Sequence, residues 1–553
     1  MSGELPVKSD CLPFSQIPHT TRLFADFLSH APEVRQFYPH SASFLEWAKT
    51  ESVAVNYDAG RRERVADVLE RQNRGWQASA KTLENIGRLR RGAFATVTGQ
   101  QVGLLGGPAF ALYKALTAVK LANDAASAGI DCVPVFWLAS SDHDLAEVNQ
   151  VAIPGPDAVL RTLTAATQGL PDAPVGSVTF GSEIAAVVEQ AADLLGDSEV
   201  SALLRESYRP GENFGSAFAR LFARLFGEWG VIFLDASDPS LGPIAEPIYR
   251  AAIEGAAEFN EALLARGREL DAAGYHQQVK VTPASTLLFA LREGSRIPLQ
   301  RRANGNAEAD FLIGEETVTR VELLRCISAK PEGFSPNVLL RPVVQDYLLP
   351  TLAYTGGAAE TAYFAQAAVL FQALLGRVTP IVPRFSATLI EEKPAALLQR
   401  YGLGITDLFR GAEALRELLA ARNLPQELQQ AFDAAGADME KSLGTIRAAL
   451  ERLDKTLVEA ANNAAGKMQH QLSQLRDRAA RAELRQSEVL GRHADLLSNL
   501  LYPNKTLQER EIAGVYFLAR HGVQFLKELY DAIRSECLEH QVISLEEGKT
   551  HSS

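Results

Sequence analysis

Two periodicities divide the chain. From residue 93 to about 390, short apolar and β-branched runs alternate with stretches of helical period; beyond 390 the apolar positions keep helical spacing almost throughout. The runs at 94–98, 133–139 and 231–235 are apolar or β-branched at nearly every position, as strands buried on both faces are. Between the first two, Gly99, Gln100, Gln101 and Gly103 read as a polar turn, and Gly106, Gly107 and Pro108 open a helix over 109–122. Strand, glycine turn, helix, strand is a βαβ unit with a parallel pair. The chain therefore predicts an α/β fold whose strands deliver their C-terminal ends to one edge, where open α/β sheets hold ligands. Residues 340–385 repeat the layout: a short helix over 340–349, a strand at 351–354, a turn at Gly356-Gly357, a helix over 358–375 and a strand within 379–385.

The segments between these runs break the sheet. The pattern divides into N-terminal helices (20–31, 60–91) with the first half of the core over 1–150, an inserted lobe over 151–210, and a core continuation over 211–245. A long helix (243–272) and a small β lobe fill 246–335, with turns at Gly294-Ser295 and within 304–310; the second half of the core takes 336–390. In the lobe over 151–210 the pattern gives a strand and turn, then a strand entering a helix. Over 391–500, Ile446, Leu450, Leu453, Leu457, Ala460 and Ala464 keep the three-four spacing of a heptad seam that Met468, Leu472 and Leu475 continue after a stutter. This predicts a coiled-coil domain with its return arm near 477–499 and a homodimer formed through it. Helices packing on the core close the chain over 501–553.

Composition narrows the function. At 553 residues the chain is too long for one core, and a net charge of -12 argues against nucleic acid as a partner. The four cysteines, Cys11, Cys132, Cys326 and Cys537, are far apart, so neither a CxxC site nor a disulfide framework is expected. No signal-type or membrane-spanning apolar run stands out, which fits a cytoplasmic protein.

The predicted ligand edge carries the candidate chemistry. Asp142, His143 and Asp144 follow a strand end. They can pair a base with an orienting carboxylate, bind a divalent cation, or hydrogen-bond sugar hydroxyls and an amine; a purely structural loop is the fourth reading. His143 is the one histidine of ten at such a position, and a histidine suits a general base near neutrality. No soft ligand is close in sequence, so no tightly bound zinc is expected, with Mg2+ only alongside nucleotide phosphate. Gly99, Gly106 and Gly107 allow backbone N–H groups to approach an anion, or else allow tight packing of helix on sheet. Gln100, Gln101 and Asn149 lie in the same stretch. Gln345, Asp346, Tyr354, Glu360 and Tyr363 form a second polar cluster around the turn at Gly356, Asp346 and Glu360 being expected to face one crevice, and Arg384 after the next strand adds an anion contact. Asp235 ends the third strand as a ligand-edge carboxylate or as a helix cap.

The segments VTGQQVGLLGGPAFALYKALTAVKLA, PVFWLASSDHDLAEVN, RPVVQDYLLPTLAYTGGAAETAYFAQ and PIVPRFSATLI together resemble the bacillithiol biosynthesis cysteine-adding enzymes, or cysteine ligases. The likeness spans almost the whole chain. It implies a Rossmann-like, nucleotidyltransferase-like core with inserted lobes and a C-terminal coiled coil that pairs protomers. The implied reaction joins the carboxyl group of cysteine to the amine of glucosaminyl malate, with ATP, and Mg2+ beside it, activating the carboxyl. Members usually read GEDHD where this chain has Ser140-Ser141-Asp142-His143-Asp144, and AYVGGPxE where it has Ala353 to Glu360. The HIGH and KMSKS motifs of class I synthetases are not written here. Two other readings stand beside the ligase: a non-catalytic binding or scaffold protein on a degenerate core, and a nucleotidyl or glycosyl transferase acting on a related amino sugar.

Overall fold

The computed structural model describes residues 8–167, 170, 172–302, 310–486, 488–534 and 537–545. At its centre lies a five-stranded, all-parallel sheet. Its strands are β1 (Phe94–Gln100), β2 (Cys132–Leu138), β3 (Ile232–Asp235), β4 (Thr351–Gly356) and β5 (Ile381–Pro383), in the spatial order β5-β4-β1-β2-β3. The register runs level: Gln100 pairs with Leu138, Leu138 with Asp235, and Gly356 with Pro383, so all five C-terminal ends reach one edge. Alternate residues feed two cores. Ala95, Val97, Val133, Val135, Trp137, Ile232 and Leu234 pack on one face, and Phe136, Leu138 and Phe233 on the other. The second core is aromatic: helix Phe214–Leu225 stacks Phe218 on Phe222 at 4.1 Å and lays Phe222 5.6 Å from Phe136. Helix α1 (Phe110–Ser127) follows β1 and helix α2 (Ala358–Leu375) follows β4.

The inserted lobes depart from expectation in detail. The lobe after β2 begins with an antiparallel hairpin, Gln150–Pro154 with Leu160–Thr164; the expected second strand near 178–180 is reduced to isolated bridges, and helices Ile184–Leu195 and Glu199–Ser207 follow. The expected helix over 243–272 is two helices, Gly242–Glu254 and Ala256–Ala272, which part at Gly255. The one over 60–91 is likewise two, Ala59–Gly75 and Ala80–Arg91, with Gln77 at φ +58 and Ser79 capping the second. Among the described residues the β lobe has five strands, Ser285–Arg292, Ser295–Arg301, Asp310–Ile313, Glu316–Thr319 and Phe334–Pro336. Most of its turn at 304–310 lies outside the described residues. After Glu316–Thr319 the chain turns into helix Arg320–Ala329, because Thr319 and Glu322 form a reciprocal capping box.

Two larger corrections concern the ends and the coiled coil. The chain does not close on helices alone. Strand His540–Ser544 pairs antiparallel with Lys8–Leu12 and parallel with Ala387–Ile390, making a small sheet that joins both ends of the chain to the exit of the core. A disulfide between Cys11 and Cys537, unexpected from their spacing, spans this joint with Cα atoms 6.4 Å apart. The heptad seam does not run straight either: α3 (Gln426–Leu453) ends and α4 (Leu457–Gln486) returns antiparallel beside it. The return arm therefore starts some twenty residues earlier than the spacing implied. Asp454 breaks the helix by accepting from the backbone N–H and hydroxyl of Thr456, both at 2.8 Å.

Candidate functional site

The ligand edge is built by four loops that leave the level strand ends. After β1, Gly99 sits where a Cβ would lie 3.2 Å from the Tyr354 hydroxyl and 3.4 Å from the Trp137 carbonyl, so only glycine fits without displacing a neighbour. That approach leaves the Gly99 carbonyl free to accept from Lys114 of α1 at 2.7 Å, and the Gln100 side chain accepts from the same ammonium at 2.8 Å. The third partner of Lys114 is Glu360, at 2.7 Å. Glu360 also accepts from the backbone N–H of Gly357 at 2.8 Å and from the Tyr354 hydroxyl at 2.5 Å. Burial pushes the Glu360 carboxyl up, but Lys114 and these hydrogen bonds outweigh it and hold the group below the usual carboxylate range. Gly356 ends β4 and turns the chain into α2.

Arg341 stands over this network, donating to Tyr363 at 2.6 Å and to Gln345 at 3.0 Å, with its guanidinium 5.6 Å from the Tyr354 ring. Arg384 follows β5 and is buried; its partner is the fully buried Glu509, at 2.6 Å. Among the described residues the cations Lys114 and Arg384 pair with the carboxylates Glu360 and Glu509, Arg341 adds a third positive charge, and the N-terminus of α2 adds positive potential. This corner favours an anion. Asp346 does not belong to it. Helix Arg341–Leu348 runs down the sheet, so Asp346 arrives at the opposite edge, beside Arg377 at 3.1 Å and Thr379, where burial pushes its carboxyl up to about 7. The expectation that Asp346 and Glu360 share one crevice is therefore corrected.

The anion cradle expected of Gly106 and Gly107 is corrected too. Gly106 has φ +87, packs against Leu221 and Phe222, and gives its N–H to the Tyr208 hydroxyl at 2.9 Å; the Gly107 N–H goes to the Leu104 carbonyl at 2.9 Å. Both glycines let the turn pack on the aromatic core, and neither N–H is open to a ligand.

The second half of the edge is the loop after β2. Asp142 accepts from Gln101 at 2.8 Å and from the backbone N–H of His143 at 2.8 Å, while Gln101 also donates to Glu147 at 2.9 Å. Asp144 caps the short helix Leu145–Val148, and the carbonyl of Asn149, which ends that helix, accepts from Ala165 at 2.8 Å. The chain is not extended here, so Asp142 and His143 do not oppose one another: their nearest side-chain atoms are 3.5 Å apart. The β lobe reaches in with Arg296, whose Nη1 lies 3.3 Å from His143 Nδ1 and 3.6 Å from Asp142. Asp235, at the end of β3, accepts from the hydroxyls of Ser140 and Ser237 and ties two loops together, while Asp238 is the cap. A cavity of about 280 Å³ opens beside the loop, lined by Ser141, Ser177, Ser237, Tyr249 and Ser335 among others. Among the described residues no group of three or more His, Cys, Asp or Glu side chains could hold a metal ion. Burial pushes the Cys132 thiol up to about 12, which leaves it inert at neutral pH.

The structure thus gathers Asp142, His143, Gln101, Gln100, Gly99, Tyr354, Glu360 and Arg384 along one edge. It adds residues that sequence reasoning passed over. Lys114 lies inside the helix after β1, where local spacing does not show that it reaches the edge. Arg341 had a signal, a lone charge inside the apolar run LLRPVV. Arg296 had none, since its neighbours here lie more than 150 residues away.

The chain matches two family models end to end: Bacillithiol biosynthesis BshC, N-terminal Rossmann-like domain, over residues 7–385, and Bacillithiol biosynthesis BshC, C-terminal coiled-coil domain, over residues 387–545. Relatives whose names class them as BshC cysteine ligases include a protein of Koribacter versatilis, 49% identical over 97% of this chain and 99% of its own length. One of Solibacter usitatus is 38% identical over 96% and 99%, and one of Geobacillus thermodenitrificans is 30% identical over 93% and 96%.

Proposed function

This chain belongs to the bacillithiol biosynthesis BshC family, and on that premise we propose that it is a ligase joining the carboxyl group of L-cysteine to the amine of glucosaminyl malate. The supporting observation is the pairing of two unlike halves on one sheet edge. A buried corner with Lys114, Arg341 and Arg384 suits the malyl carboxylates, and beside it the loop Asp142-His143-Asp144 suits an amine and its protons. In the reaction the amine nitrogen forms a bond to the cysteine carbonyl carbon, the bond from that carbon to its activating oxygen breaks, and the nitrogen gives up a proton to a loop carboxylate, Asp142 or Asp144, or to solvent. A free carboxylate does not undergo this step in water, so an activated carboxyl is required. ATP is the activating cosubstrate in this reading, with Mg2+ carried on its phosphates, and the coiled-coil hairpin pairs two protomers.

Purified protein incubated with glucosaminyl malate, cysteine and ATP is expected to yield the cysteinyl amide by mass spectrometry. Cysteine labelled with 18O in its carboxyl reports the activation: label in AMP marks an adenylate, label in phosphate an acyl phosphate, and label in neither contradicts the role of ATP. No amide under any nucleotide or metal condition contradicts the ligase.

A further inference from the structure

Arg296 is held in place by the β lobe, not by the loop it meets. Its side chain is 7% exposed. Nε donates to the Ser335 hydroxyl at 3.0 Å, Nη2 donates to the Pro336 carbonyl at 2.6 Å, and the guanidinium lies 3.9 Å from the centre of the Phe289 ring. Its own backbone N–H is fixed by the Asp172 carbonyl at 2.9 Å. Ser335 and Phe289 face each other across paired strands, so the anchors belong to one sheet. The loop after β2 is fixed independently: Val175 donates to the Asp142 carbonyl at 2.7 Å and Gly176 to that of Ser140 at 2.8 Å. Two rigid pieces thus present Nη1 of Arg296 to Nδ1 of His143 at 3.3 Å.

A guanidinium has N–H donors and no acceptor, and it keeps its proton in proteins. Nδ1 must then be the accepting nitrogen, and the proton of a neutral imidazole resides on Nε2. Asp142 would favour the other tautomer through an Nδ1–H bond. Its nearest oxygen, however, lies 3.5 Å from Nδ1 and already accepts the backbone N–H of His143 at 2.8 Å. We propose that Arg296 is a positioning residue that fixes His143 as the Nε2–H tautomer, so that His143 meets the substrate as a hydrogen-bond donor instead of a base. In an amide-forming reaction the place for such a donor is the carbonyl oxygen, which gains negative charge as the amine adds. This assignment of the donor role rests on the ligase reading; the tautomer does not.

Long-range 1H–15N correlation spectra of full-length protein with 15N-histidine, with the His143 signals identified by their loss in His143→Gln, test the tautomer without any assay. At pH 8 the wild type is expected to show an unprotonated Nδ1 and a protonated Nε2. A proton on Nδ1 overturns the proposal, and this measurement needs no Arg296 variant to fold. In Arg296→Met the proton is expected to move to Nδ1, towards Asp142, and in Arg296→Lys to stay in part on Nε2. An unchanged tautomer in Arg296→Met also overturns the proposal, because a merely structural arginine would leave it so. If the ligase assay succeeds, Arg296→Met should lower kcat about 10-fold to 100-fold with each KM within about three-fold. An equal loss confined to KM overturns the donor role and leaves the ligase standing.

Discussion

His540 shows how a residue with no place at the ligand edge can govern the behaviour of the molecule. It lies in the joint between the chain ends, with Nδ1 2.8 Å from the Ser386 hydroxyl and Nε2 2.8 Å from that of Thr388. Burial lowers its pKa to about 4, against the pull of Glu509, and Arg384 lowers it further. The unfolded imidazole takes a proton near 6.5 and the native one only near 4, so the native state loses stability as pH falls through that window and is unaffected above it. At about 1.36 kcal/mol per pKa unit the loss is on the order of 3 kcal/mol. Urea midpoints measured from pH 7 to pH 4 should fall less steeply in His540→Gln than in the wild type; equal slopes would contradict the assignment. None of this was legible in the sequence, because the hydrogen-bond partners of His540 lie more than 150 residues away. By contrast, Gly99, Gln101 and Asp142 were legible, since a glycine turn and a polar cluster ending apolar strands are local signals. Their neighbours Arg296 and Arg341 come from elements whose pairing no local period encodes.

At the scale of elements, strands were read well and interruptions poorly. Apolar runs mark β1 to β5 directly, whereas the breaks at Gly255 and Asp454 depend on one or two residues inside unbroken helical spacing. Leu453 and Leu457 are four apart, so the seam passes through the turn without a fault in its period. Folding it back leaves the apolar stripe only partly covered. Met468 and Leu475 stay about half exposed, and with Ala435, Met439 and Leu472 they line an open groove of about 490 Å³ on the hairpin. An apolar stripe of this kind suits a two-fold partner. Sedimentation at micromolar concentration should give a dimer, and Met468→Asp with Leu475→Asp should give a folded monomer. A wild type that is strictly monomeric, or a double variant that stays dimeric, would contradict pairing through this face.

In the whole molecule, one parallel sheet is assembled from segments as distant as 94–138 and 351–383, and the lobes between them return to its ligand edge. The β lobe brings Arg296, and the C-terminal segment brings Glu509 to Arg384. The likeness to the cysteine ligases was legible in the sequence because each of the four motif segments includes a strand that ends at that edge. What it did not reveal was how the lobes complete the site. The central claim is that the amide forms at this edge, between the cationic corner and the loop after β2. A crystal structure with glucosaminyl malate bound tests it most directly. The account predicts malyl carboxylates beside Arg341, Lys114 and Arg384 and the sugar amine within hydrogen-bond reach of Asp142, His143 or Asp144. The sugar bound elsewhere, for example in the cavity of about 370 Å³ lined by Asn260 and Asn337, with its amine out of reach of Asp142, His143 and Asp144 alike, would contradict it.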